Sequence, residues 1–147
     1  LGLRKRAMQL HIIALGKIGR SPEQELVDRY VKRIGWDIKL SELPDQGGKI
    51  PKLGNQTKII AMDESGENWS SKKFAGLLSS WRDHGVREAR FLIGSADGLS
   101  LEERESADHF FSFGKATWPH MMARAMLAEQ LFRATAIIAN HPYHREG

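Results

Sequence analysis

"TKIIAMD", residues 57–63, is the stretch that settles the architecture. After Thr57 and Lys58 it runs through Ile59, Ile60, Ala61 and Met62 without a polar interruption and closes on Asp63. A strand with one wet face alternates apolar and polar residues. A strand covered on both faces does not, and such strands belong to parallel sheets. Downstream, "ESGENWS" turns into "SKKFAGLLSSWRDHG" (71–85), a helix with Phe74, Leu77, Leu78 and Trp81 facing the core and Gly85 ending it. "REARFLIG" (87–94) is a fourth strand and "SADG" a tight loop. "SLEERESAD" (100–108) is a short helix whose Ser100 and Glu103 form a capping box. "HFFSFG" (109–114) is a fifth strand, "KATWPH" a loop, and residues 121–138 a long helix.

Upstream, "MQLHIIAL" (8–15) reads as a buried strand. "SPEQELVDRYVKRIG" (21–35) is a helix with Ser21 as cap, Pro22 at the first helical position, Gln24 completing a capping box and Gly35 as the stop. Its apolar stripe is Leu26, Val27, Tyr30, Val31 and Ile34. "WDIKLSEL" (36–43) is the second strand, and "PDQGGKIPKLGNQ" (44–56) is expected to be a mobile loop. Strands alternating with helices imply an α/β fold with a mostly parallel sheet covered by helices. In such sheets ligands sit beyond the carboxyl ends of the strands, here after Asp63, Ile93 and Phe113.

The 147 residues suit one domain, expected over residues 8–147. The start superficially resembles a signal peptide, but Gln9 and His11 interrupt its apolar run and no cleavage site follows. Met8 reads as the first residue of the domain and residues 1–7 as a disordered extension. With no cysteine, there is neither a disulfide framework nor a thiol nucleophile. No apolar run is long enough to span a membrane, and no membrane partner is expected. A formal charge of +4 favours an anionic partner such as nucleic acid.

Several residues carry two readings. Gly94 and Gly98 permit close backbone approach or positive φ, whether in a ligand loop or in an ordinary βα turn. Trp118, held extended by Pro119, can cover a flat ring or simply pack. His120 reads equally as a general base or as an ordinary helix-start residue. Arg124 and Arg133 suit phosphate binding or salt bridging. His141 and His144 are spaced for metal, but with no third ligand in view no metal site is expected.

The order strand, "LIG..DGLS", helix, strand, "T.PH", long helix and terminal "NHPYHRE" resembles the ribosomal RNA large-subunit methyltransferase H family of the SPOUT class, from Met8 to the end. The resemblance implies an α/β knot, with the C-terminal segment threaded into a trefoil, and S-adenosylmethionine bound in the knot. It implies a cytoplasmic homodimer with sites at the subunit interface, methylating N3 of a pseudouridine in 23S rRNA within the assembled ribosome. Cofactor contacts then map to Met62, Gly94, Ser95, Gly114, Lys115, Ala116, Thr117, Trp118 and Pro119. Catalytic and RNA contacts map to Tyr143, His144 and Arg145, with Arg124 and Arg133 as weaker RNA candidates.

Two departures set expectations. Relatives read "GGPEG" where this chain has "GSADG", so Ser95 would be strained if its position required positive φ. Residues 44–56 form only a loop where relatives place a helix. The competing readings are a ribosome-binding factor that has lost cofactor binding at Ser95, and a flavodoxin-like nucleotide binder.

Overall fold

The structure is a computed structural model describing residues 8–16, 19–44, 50, 54–95 and 97–140. Among these residues five strands and four helices follow in the order β1 (Gln9–Leu15), α1 (Pro22–Arg33), β2 (Ile38–Leu43), β3 (Thr57–Glu67), α2 (Ser71–Asp83), β4 (Glu88–Ile93), α3 (Leu101–Ser106), β5 (His109–Phe111) and α4 (His120–Ile138). The strands form one sheet in the order β2-β1-β4-β3-β5, with every neighbouring pair parallel.

The two faces of the sheet differ. Leu10, Ile12, Ile60 and Phe91 point to one side and meet Phe74 and Leu78 of α2 and Leu127 and Leu131 of α4. Trp69 stacks on Phe111 there at 4.9 Å between ring centroids. α1 joins this layer through a seam of Val27, Ala125 and Ala128. The opposite face carries a smaller apolar cluster around Ile13, Ile59 and Leu92. Beside it lies a buried polar chain. His11 Nδ1 meets Glu88 at 2.8 Å, His11 Nε2 meets Ser41 at 2.7 Å, and Arg90 Nε donates to Glu88 at 2.7 Å. Each group is satisfied, so the chain ties β2, β1 and β4 together without an orphaned polar atom.

Local chemistry sets most element ends. Gly85 (φ +84) ends α2 in a left-handed turn, with Val86 N–H donating to Trp81 O at 2.9 Å and Gly85 N–H to Arg82 O at 3.1 Å. The α3 capping box forms in full. The α1 box forms by half: Ser21 accepts from Gln24 N–H, but the Gln24 side chain donates to Asp28 at 2.8 Å instead. α1 stops at Ile34, whose backbone is extended, so Gly35 is not its stop signal. Leu26 also departs from its stripe and is 38% exposed.

The largest departure is in β3. Its apolar run ends at Met62, yet the strand continues to Glu67. Met62 and Glu67 both pair with Phe111, so the intervening residues bulge out of the ladder. Gly66 makes the return possible: a Cβ there would lie 2.5 Å from the Phe110 carbonyl carbon. The bulge puts Asp63 and Glu64 at the carboxyl edge of the sheet.

Candidate functional site

At that edge the ends of β3, β4 and β5 enclose a cleft of about 350 Å³. Met62, Ile93 and Phe111 share one row of the sheet and form its floor. The walls come from three loops, those following Met62, Ile93 and Phe111. Sequence placed the ligand loops after Asp63, Ile93 and Phe113, one residue later than here in β3 and two later in β5.

The β4 loop is built around two glycines that act differently. Gly94 is buried, and a Cβ there would fall 2.6 Å from the Gly98 carbonyl carbon and 2.8 Å from Leu99 N. Backbone therefore occupies the space that any side chain would need. Gly98 takes φ +83 and closes the turn with its N–H on the Ser95 carbonyl at 2.8 Å. Ser95 is not among the described residues with positive φ. The strain expected of serine at this position is therefore absent, and with it the ground for a factor that lost its cofactor there.

The β5 loop is pinned by Ser112, which is buried. Its hydroxyl accepts from Gly114 N–H at 3.0 Å and donates to the Gly114 carbonyl, while its own carbonyl accepts from Asn68 at 3.0 Å. Gly114 adopts φ +133 to close this turn. Thr117 then reaches across the mouth and donates to Glu64 at 2.7 Å. Trp118 is 39% exposed at the rim.

Two opposed charges stand at the third wall. Arg104 of α3 holds Asp63 at 2.9 Å and lies 5.4 Å from the Phe110 ring centroid. Burial works against ionising Asp63, but hydrogen bonds from Ser65 and Arg104 and the guanidinium charge outweigh it, and its pKa is lowered.

Of the residues expected to contact a cofactor, Met62, Gly94, Ser95, Ala116, Thr117 and Trp118 line the cleft. Gly114, Lys115 and Pro119 belong to the same loop without lining it. Tyr143, His144 and Arg145 lie outside the described residues, as does most of the 44–56 loop. Arg124 is fully buried: it donates to Glu42 and, at 3.1 Å, to the Gly16 carbonyl. It ties α4 to the ends of β1 and β2, and in this conformation presents no surface to RNA. Arg133 pairs with Glu129 at 2.7 Å along α4. Sequence reasoning did not single out Glu64, Asp97, Arg104 or Ser112. The full capping box at Ser100 was the one local signal that fixed Arg104, four residues on, beside the cleft. Among the described residues no cluster of metal-ligating side chains occurs, and no helix is long and apolar enough to cross a membrane.

Comparison with known proteins agrees with this geometry. A family profile described as "Predicted SPOUT methyltransferase" matches residues 8–144. A protein of Sphingopyxis alaskensis, named ribosomal RNA large subunit methyltransferase H, is 64% identical over 95% of this chain and 99% of its own length. Similarly named proteins of Novosphingobium aromaticivorans and Bradyrhizobium diazoefficiens are 62% and 40% identical, over 95% and 94% of the chain. Among solved structures, a probable methyltransferase from Bordetella pertussis aligns with TM-score 0.59 at 13% identity, covering 89% of this chain and 96% of that one. The SpoU methyltransferase AviRb of Streptomyces viridochromogenes, in complex with AdoMet, aligns with TM-score 0.54 at 13% identity over 94% of this chain and 63% of that one. These two share the fold.

Proposed function

Since the chain belongs to the SPOUT methyltransferase family, among the ribosomal RNA large subunit methyltransferase H proteins, we propose that it methylates N3 of a pseudouridine in 23S rRNA, acting on the assembled ribosome. The chain is an S-adenosylmethionine-dependent methyltransferase, and the residues at the strand ends suit that cofactor. Gly94 leaves room for backbone alone, Met62, Ile93 and Phe111 offer an apolar floor, and Asp63, Glu64 and Asp97 supply negative charge near a cationic sulfonium. When bound, the cofactor supplies an electrophilic methyl group. The protein's part is to hold the cleft's shape, exclude water and align the incoming base.

The observation that carries this reading is the convergence of the β3, β4 and β5 loops on one cleft at the carboxyl edge. We place cofactor contacts on Met62, Gly94, Ser95 and the loop 114–119. Base recognition falls to Tyr143 and His144, and Arg145 stabilises negative charge on the base or grips a phosphate. Residues 8–147 act as one catalytic domain in the cytoplasm.

The partner is a second copy of the chain. Leu26 and Met122 are 38% and 42% exposed, and they belong to α1 and α4, the two helices that pack through the Val27–Ala125–Ala128 seam. Exposed large apolar side chains on two packed helices suit a subunit interface. Sedimentation at micromolar concentration is expected to give a dimer, and a fully active monomer would contradict it. The activity itself is tested by titrating S-adenosylmethionine calorimetrically and by locating the methyl group on ribosomes that lack it.

A further inference from the structure

We propose that His120 is the general base of the methyl transfer, taking the N3 proton of the target pseudouridine. The inference rests on the activity proposed above. Among the described residues, five titratable side chains line the cleft: Asp63 and Glu64 from β3, Asp97 from the β4 loop, Arg104 from α3, and His120 from α4. Asp63 and Arg104 hold each other at 2.9 Å, and Glu64 is engaged by Thr117. Asp97 sits on the exposed turn. His120 is half-buried and makes no hydrogen bond or ion pair with a described residue. Carboxylates are weak bases towards an imide and a guanidinium accepts no proton. Histidine is the side chain whose ordinary titration falls nearest neutrality.

The position of His120 is also fixed. It is the first residue of α4, behind Pro119 at φ −56, and Ala123 N–H donates to the Pro119 carbonyl at 3.0 Å. Leu127 and Leu131 seat the same helix in the core. A base on a packed helix keeps its aim better than one on a loop.

The step balances. N3–H gives its proton to the His120 imidazole while the N3 lone pair forms a bond to the methyl carbon. The carbon–sulfur bond breaks and its electron pair stays on sulfur, giving S-adenosylhomocysteine. The imidazolium then releases its proton to water.

The test uses His120→Gln and His120→Ala in the full chain, on ribosomes lacking the modification. Cofactor affinity is read by calorimetry, and thermal melting serves as the fold control. Cofactor Kd is expected to stay within about threefold, and kcat to fall by about a hundredfold or more. The acidic limb of the wild-type rate profile should disappear in His120→Gln, and added imidazole should partly restore His120→Ala. In the wild-type protein, the imidazole ¹⁵N resonances of His120 should move when a pseudouridine oligonucleotide is added. A kcat within fivefold of wild type with an unchanged acidic limb would overturn the proposal. So would resonances that stay still while the oligonucleotide binds, a reading that does not depend on how the variants fold. Failure of the wild type to methylate would instead count against the functional reading beneath it.

Discussion

Replacing Gly94 by alanine puts the cleft's construction to a quantitative test. The added Cβ would lie 2.6 Å from the Gly98 carbonyl carbon, 2.8 Å from Leu99 N and 2.9 Å from Gly98 O. Carbon atoms rest at about 3.5 Å or more, so the chain at Gly98 and Leu99 must retreat by roughly 1 Å. All three contacted atoms are backbone, and no side chain can swing aside to relieve them. The Gly98 N–H to Ser95 carbonyl bond, 2.8 Å long, resists the movement. Overpacking of this kind costs about 1–3 kcal/mol. Gly98 and Leu99 line the cleft, so the displacement is also expected to reduce cofactor affinity, by roughly 5- to 150-fold for the same free energy. Calorimetric titration of Gly94→Ala with S-adenosylmethionine is the assay. Gly76→Ala, on the exposed side of α2 where an added Cβ meets nothing within 4 Å, is the control and should bind within about twofold, since about 0.4 kcal/mol corresponds to that factor. Wild-type affinity in Gly94→Ala would mean that the Gly98–Leu99 backbone yields freely and that the loop is not a rigid wall.

Other outcomes follow from other parts of the molecule. Arg124→Ala should lower stability by about 2–5 kcal/mol in denaturant unfolding, because it removes the ion pair to Glu42 and the donor to the Gly16 carbonyl and empties a fully buried site; a loss below about 1 kcal/mol, the scale of an exposed pair, would place the arginine on the surface instead. Burial opposes the charge on Glu88, but hydrogen bonds and charge from Arg90 and His11 outweigh it and hold its pKa below the ordinary 4.5. A depressed carboxylate lends stability that is complete above 4.5 and lost as pH falls through the folded value, so melting temperature should drop below that pH and drop less steeply in Glu88→Gln. Identical slopes in the two proteins would remove Glu88 from the acid response. Arg145→Ala should cost far more methylation than Lys5→Ala at fixed salt, with cofactor binding retained; equal small losses would reduce the tail to general attraction for RNA.

The sheet was readable because its strands carry unbroken apolar runs, as in residues 59–62 and 91–93, and its helices carry their own punctuation. The α3 capping box needs only Ser100 and Glu103, three residues apart, and formed as expected. Gln24 failed the same rule because Asp28, one turn on, offered its amide another partner. The continuation of β3 through "DESGE" could not be read, since its polar composition imitates a turn and its reason lies in the backbone of Phe110 and Phe111, far along the chain from Gly66. For the same reason the strand-end loops could be picked out as candidate ligand loops while Arg104 and Glu64 could not. Their roles arise from Asp63 and Thr117, which reach them only through the folded chain. Arg124 sits in a helix that is apolar on most sides, and no periodicity distinguishes an arginine buried against Glu42 from one turned to solvent.

The central claim is that the cleft at the ends of β3, β4 and β5 delivers a methyl group to N3 of a pseudouridine. Ribosomes from cells lacking the modification, incubated with this protein and isotopically labelled S-adenosylmethionine, test it most directly. After nuclease digestion, mass spectrometry should find the label on a single pseudouridine of 23S rRNA, with the methyl group on N3, and Gly94→Ala should reduce the yield at limiting cofactor. Label on another base or another atom, or none despite cofactor binding, would contradict the account.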